Sequence, residues 1–301
     1  MRLVCLGEIL WDVFGGTERI GGAPLNVAAH AARLGHEVAF VSAVGDDDRG
    51  RRALVELRRL GLGTNFITVT PELPTGHVTV TVDAKGQPDF TIHRPAAYDT
   101  PLPNWPQMEA LRRHGADFIC HGTLAQQSPQ VHTLTGALIR LFPQAVVFYD
   151  VNLRRGCHTP ELVTALLRTA DILKLNEAET AAVAQMTGLP VQPNLESFCR
   201  EMAERHNLQA LCITRGAAGC AFWLQHQYRE IPGHAVTVAD AVGAGDAFAA
   251  AFLHGLSAAW PTDRIGDFAN RVGALVASRP GAVPEWTVEE ALALGNPVEA
   301  M

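Results

Sequence analysis

The residues best suited to chemistry lie in Asp240–Leu253, DAVGAGDAFAAAFL. Gly243, Ala244 and Gly245 are small residues ahead of a run with strong helix propensity, so this turn opens a helix. The first N–H groups of such a helix have no intrahelical partner, and with the helix dipole they form an anion site. A side chain larger than alanine's would hold a phosphate away from that backbone. Asp246 falls in the first helical turn, beside the anion, where a carboxylate can accept the proton of an attacking hydroxyl. The same residues also suit a tight loop with an Asp favoured at a helix start, and the segment alone leaves both readings open.

Other polar residues sit where strands should end. Gly22 and Asn26 flank the start of the first helix. An Asn amide can both donate to and accept from a polyol, while Gly22 lets a ligand approach the backbone. Asn176 and Glu179, at a helix start, fall on one face, where they can order the water shell of Mg²⁺ or simply cap the helix. Asp150, Asn152 and Arg154 alternate at a strand end, an arrangement that projects them to one side. Trp11 is placed to shape a small-molecule pocket, whereas Trp223 and Phe248 read as core.

What the chain lacks narrows the chemistry. There is no GxxxxGK[ST] P-loop, and Lys85 and Lys174 are the only lysines, so no P-loop lysine exists. GxGxxG is absent and the histidines are scattered singly, which removes dinucleotide binding and a His-based metal centre. A phosphate-handling protein of this composition must use another anion cradle, and the Gly243–Asp246 turn supplies it. The net charge of −7, without a basic block, argues against nucleic acid or an anionic membrane as partner. No window approaches a membrane span. The six cysteines show no CxxC pair, and the N-terminus lacks signal-peptide character, so a reducing cytoplasm is expected.

The elements that must position these residues alternate between strand and helix. Strands are expected at Leu3–Leu6, Glu37–Ser42, Asp117–Cys120, Ala145–Tyr149, Asp171–Leu175 and Ala210–Thr214. Helices are expected at Pro24–Leu34, closed by Gly35, and around Arg49–Leu60, closed by Gly61. This predicts an α/β fold, a doubly wound, mostly parallel sheet with helices on both faces, whose ligands collect at the carboxyl ends of the strands. Thr75–Asp83 and Pro88–Arg94 instead alternate with period two around a turn at Ala84–Gln87. That hairpin, with the residues after Asp12, predicts a small β-sheet lid over residues 12–22 and 74–100. The main domain then comprises 1–11, 23–73 and 101–301. A small sheet seeks cover, and a homodimer pairing through the lid would provide it.

The Asp240–Leu253 segment resembles the second signature of the ribokinase-like (PfkB) carbohydrate kinases, where the matching Asp is the catalytic base. Gly21-Gly22-Ala23-Pro24-Leu25-Asn26-Val27-Ala28 resembles the first, followed by Gly35 and Gly45 at the family's spacing. GEILWD and the GGAP loop are most like bacterial fructokinases. The resemblance implies ATP and Mg²⁺ as cofactors, a sugar as acceptor, and fructose 6-phosphate as product. Asp12 then binds two sugar hydroxyls, with Gly22 and Asn26 beside it. Arg94 is the lid residue that meets substrate, and Arg154 offsets phosphate charge. Asn176, Thr214, Gly216, Gly219 and Asn270 contact the nucleotide, and Glu179 acts on Mg²⁺ through water. Asp240, Val242, Val276, Arg279 and Gly281 match a monovalent-cation (K⁺) site, although Ala241 replaces the family's usual Thr. Another sugar or a sugar acid such as 2-keto-3-deoxygluconate, or a non-catalytic sugar sensor, are the alternative readings.

Overall fold

The computed structural model describes residues 1–82, 88–190 and 192–295. The expected turn at Ala84–Gln87 lies outside the described residues. Contacts divide the chain into one unit of Met1–Val147 with Leu153–His158, and a second of Phe148–Asn152 with Thr159–Met301.

The first unit opens with β1 (Arg2–Leu6), β2 (Leu10–Phe14), β3 (Thr17–Gly21), α1 (Ala23–Arg33), β4 (Glu37–Gly45), α2 (Asp48–Arg59) and β5 (Ile67–Thr70). It continues through β6 (Gly76–Val82), β7 (Pro88–His93), α3 (Trp105–His114), β8 (Phe118–His121) and α4 (Pro129–Leu141). Strands β8, β1, β4 and β5 are neighbours in that order and all run parallel. Leu3, Val4, Cys5 and Leu6 are completely buried, as a parallel strand covered on both faces requires. The short strand β5 went unexpected.

Strands β3, β2, β6 and β7 form a small separate sheet in that order. Here β2 runs antiparallel to β3 and parallel to β6. Cross-strand partners share a face, so Asp12, Val78 and Ile92 point one way. On that face Leu10, Val78 and Val80 cluster with Leu124, Ile92 and Cys157. Trp11 is one residue from Asp12 and therefore points the other way, a correction to its expected pocket role. Its indole donates to the Arg49 carbonyl at 3.1 Å, and the Arg52 guanidinium lies 4.6 Å from the ring centroid. Glu18 accepts from Arg49 at 2.6 Å and from Arg52, which fastens the back of the sheet to α2.

The second unit takes up β9 (Val146–Asp150) at Phe148 and adds α5 (Pro160–Leu167), β10 (Ile172–Asn176), α6 (Thr180–Thr187), α7 (Leu195–His206) and β11 (Ala210–Thr214). Then come β12 (Cys220–Leu224), β13 (Gln227–Ile231), α8 (Ala244–Ser257), α9 (Thr262–Ala277) and α10 (Val288–Ala293). Strands β9, β10 and β11 are parallel, while β12 and β13 extend them as an antiparallel edge. Helix α8 packs on this sheet through Phe252, whose ring lies 5.1 Å from Phe222 and 6.3 Å from Phe148. Phe248 and Trp223 are buried, as expected. The large sheet is mostly parallel and flanked by helices, with a small sheet apart from it.

Candidate active site

In the second unit the turn before α8 is built by close approach. Gly243 is the N-cap residue with φ 80° and ψ −10°, in the left-handed region. A Cβ on it would lie 2.3 Å from the Ala282 carbonyl oxygen, so only glycine lets the two loops meet. The expected row of free amides is partly used. Ala244 N–H reaches Ala241 O at 3.4 Å, and Asp246 N–H turns back to Gly243 O at 3.1 Å. The Gly243 and Gly245 N–H groups donate to no described group. Asp246 sits in the first turn and is buried.

Beneath this turn lies an ion pair that sequence reasoning left unused. Lys174 Nζ donates to Asp150 Oδ2 at 2.7 Å, and both residues are buried. The two are register partners on β10 and β9, hence on one sheet face. A Cβ built on Gly245 would stand 3.7 Å from Lys174 Nζ, which places the ammonium directly under the glycine turn. Burial alone acts to discharge the lysine, yet Asp150, Asp246 and Glu179 together hold its pKa above the usual lysine value. The signal was present in the sequence: a lysine inside the apolar strand ILKLN must find a carboxylate once buried.

Asn176 and Glu179 form a reciprocal cap. Asn176 Oδ1 accepts from Glu179 N–H at 3.0 Å, and Glu179 Oε2 accepts from Asn176 N–H at 2.8 Å. Asn176 and Thr214 are register partners at the carboxyl ends of β10 and β11, where ligands of such sheets gather. Gly219, in the turn after Gly216, packs so tightly that a Cβ would lie 2.1 Å from Ile231 O. Asn270 Nδ2 donates to the carbonyls of Ile231 and Pro232 at 3.2 and 3.0 Å, bracing the same region from α9. Asp240 Oδ1 accepts from Val242 N–H at 3.0 Å and Oδ2 from Gly281 N–H at 3.1 Å, joining two of the expected cation loops. Arg279 N–H donates to Val276 O at 3.0 Å, and its guanidinium pairs with Glu290.

The first unit gathers a different set. Asp12 is half-buried on β2, and a Cβ at Gly21 would approach its Oδ2 to 3.0 Å, so glycine leaves that carboxylate room. Gly22 caps α1 with φ 128°, and a Cβ there would strike Glu8 O at 2.2 Å. Asn26 is buried one turn into α1. Glu8 also escaped sequence reasoning. Its Oε1 accepts from Ala23 N–H at 3.2 Å, capping a helix whose own N-cap has no side chain. Its Oε2 is buried without a partner. Burial raises the Glu8 pKa, against its own N–H, Arg154, the Ala23 N–H and Arg94.

Arg94 is held rather than free. It pairs with Asp99 at 2.5 Å, donates to Leu124 O at 2.9 Å, and also reaches Gln127 Oε1. Arg154 is exposed. Strand alternation does not carry to it: β9 ends at Asp150, and Asn152 adopts φ 40°, so the three residues do not share a strand face as expected.

Residues 4–288 match the pfkB family of carbohydrate kinases. The chain belongs to that family. It is a carbohydrate kinase with the ribokinase-like architecture. A fructokinase of Escherichia coli is 31% identical over 279 residues, covering 87% of each chain. Fructokinase-1 of Oryza sativa subsp. japonica is 30% identical, covering 89% of this chain and 85% of its own. The crystal structure of a Xylella fastidiosa fructokinase with bound ATP superposes with a TM-score of 0.84 at 25% identity, covering 97% of both chains.

Proposed function

We propose that this carbohydrate kinase transfers the γ-phosphoryl group of ATP to a primary hydroxyl of fructose, giving fructose 6-phosphate. The supporting observation is the α8 turn, where two unengaged glycine N–H groups stand beside a buried carboxylate. Asp246 takes the hydroxyl proton as the alcohol oxygen bonds to the γ-phosphorus. The bond to the bridging oxygen breaks, and its electron pair leaves with ADP. Gly243 and Gly245 N–H groups receive the charge that develops on the transferring oxygens. Asn176, Thr214, Gly216, Gly219 and Asn270 serve the nucleotide, the last as a brace for its surroundings.

Asp12, Gly22 and Asn26 hold the sugar. Arg94, neutralised by Asp99, is poorly suited to bind a carboxylate, which favours a neutral sugar over a sugar acid. Arg154 is the exposed cation available to a phosphate oxygen. Mg²⁺, when bound, neutralises the phosphates. Glu179 commits one oxygen to its cap, which fits a carboxylate that acts through water. Carbonyls of the loops joined by Asp240 would hold K⁺, with Val242, Val276, Arg279 and Gly281 around it. Phe14 and Phe90, 38% and 50% exposed on the Asp12 face of the small sheet, support pairing with a second copy there. All six cysteines are free and five are buried, which agrees with a reducing cytoplasm. Among the described residues no helix is long and apolar enough to cross a membrane.

The test is coupled ADP detection across a sugar panel, with Asp246→Asn alongside. Fructose should release ADP, and the variant should lose about a thousandfold in turnover while calorimetry shows fructose still bound. Near-normal turnover by the variant would sink the assignment of the base.

A further inference from the structure

Lys174 is the only buried lysine or arginine among the described residues. Its place is under the α8 turn, 3.7 Å from where a Gly245 Cβ would be. The residue that follows is Asp246. A buried ammonium needs a reason, since a buried ion pair often contributes little stability over an apolar pair. Here one carboxylate, Asp150, fixes the ammonium at 2.7 Å. The titratable groups that act on it from neighbouring elements are Asp150 on β9, Asp246 on α8 and Glu179 after β10. The Cys212 thiol on β11, itself pushed well up by burial, lies within the same field. One cation therefore stands against three carboxylates at a helix mouth that should receive a triphosphate.

We infer that Lys174 is a positioning residue for phosphoryl transfer: anchored by Asp150, its ammonium keeps Asp246 ionised and offsets the surrounding carboxylates at the α8 turn. This deepens the kinase reading and rests on Asp246 as its base. Unlike a P-loop lysine, Lys174 comes from a sheet strand and acts on the base rather than on the phosphates. Asp150 is its counterweight.

The geometry makes a two-sided test. ¹³C NMR of aspartate carboxyls in the full chain, with Asp246 assigned through Asp246→Asn, reports the Asp246 titration midpoint without any turnover. Lys174→Met should raise that midpoint by about one pH unit or more, because a neighbouring cation is gone. Asp150→Asn should lower it, because a neighbouring anion is gone. Lys174→Arg should hold it near the wild-type position. The acid limb of kcat/KM should move with the midpoint in each case. A midpoint that stays put in Lys174→Met, or that moves in the same direction in Lys174→Met and Asp150→Asn, would overturn the inference and leave a purely structural pair. Should Lys174→Met fail to fold, Lys174→Gln decides: a raised midpoint supports the inference and an unmoved one overturns it. A wild-type protein that phosphorylates no sugar defeats the kinase reading separately, while the NMR midpoints still answer whether Lys174 governs Asp246.

Discussion

Gly243 and Gly245 lie two residues apart in one turn, yet alanine should affect them in opposite ways. At Gly243 the backbone is left-handed with φ 80°, and a Cβ would sit 2.3 Å from Ala282 O. The conformation costs alanine about 1–2 kcal/mol and the forced backbone shift roughly another 1–3, so Gly243→Ala should destabilise by about 2–5 kcal/mol. At Gly245 the φ is ordinary for a helix, and the nearest atom to a Cβ is Lys174 Nζ at 3.7 Å, an ordinary contact. Alanine there gains helix propensity, up to about 1 kcal/mol, or about 2 °C in Tm. The new methyl group nevertheless occupies the surface on which the phosphate should rest. Gly245→Ala should therefore be at least as stable as wild type in thermal and urea unfolding, while turnover in the coupled ADP assay falls about a hundredfold. A Gly245→Ala protein with wild-type turnover would refute the bare-backbone cradle. A Gly243→Ala protein as stable as wild type would refute the packing argument.

Further expectations concern Cys157 and Glu8 in the first unit. Of the six cysteines only Cys157 is not buried, so native alkylation should label one thiol, slowly, because burial raises its pKa against Arg94 and Arg154. Fructose should protect it, since it packs on the Asp12 side of the small sheet, and labelling indifferent to sugar would place the sugar elsewhere. Glu8 has a raised pKa in the folded state, so its share of stability is full below its ordinary value of 4.5 and is lost as pH rises through the folded value. Relative to Glu8→Gln, wild type should lose stability on going from acidic to neutral pH in denaturant titrations; parallel curves would contradict this. Glu8→Ala, which removes the α1 cap, should lose about 1–2 kcal/mol, and sugar KM should rise with ATP KM little changed.

Periodicity and turn residues carried much of this fold. Leu3–Leu6, Ala210–Thr214 and the two early helices closed by Gly35 and Gly61 appear within a residue or two of expectation. The hairpin insert was legible because its period of two interrupts a chain of helical and buried-strand patterns. Strand β5 is four residues long, too short for its period to stand out between the turn residues on either side, and β12–β13 lies beyond a glycine turn that many connections share. Side-chain direction was harder. Trp11 and Asp12 are adjacent, so placing both in one pocket ignored the alternation of a strand that had not been assigned. The site's polar residues were visible where motifs gave them a role, but Glu8 stands inside GEILWD without one and Lys174 belongs to no motif. Both could have been flagged by a different rule: an ionisable residue inside an apolar run will be buried, and must be paired or neutral.

The Lys174–Asp150 pair has a practical corollary for handling the protein. Of the two lysines in the chain, Lys174 is shut away in its ion pair with Asp150, so an amine-directed reagent should spare it while the protein stays folded. Amine-directed immobilisation would thus leave the ion pair under the glycine turn of α8 chemically untouched. Guanidine-directed reagents, by contrast, would meet arginines throughout the chain.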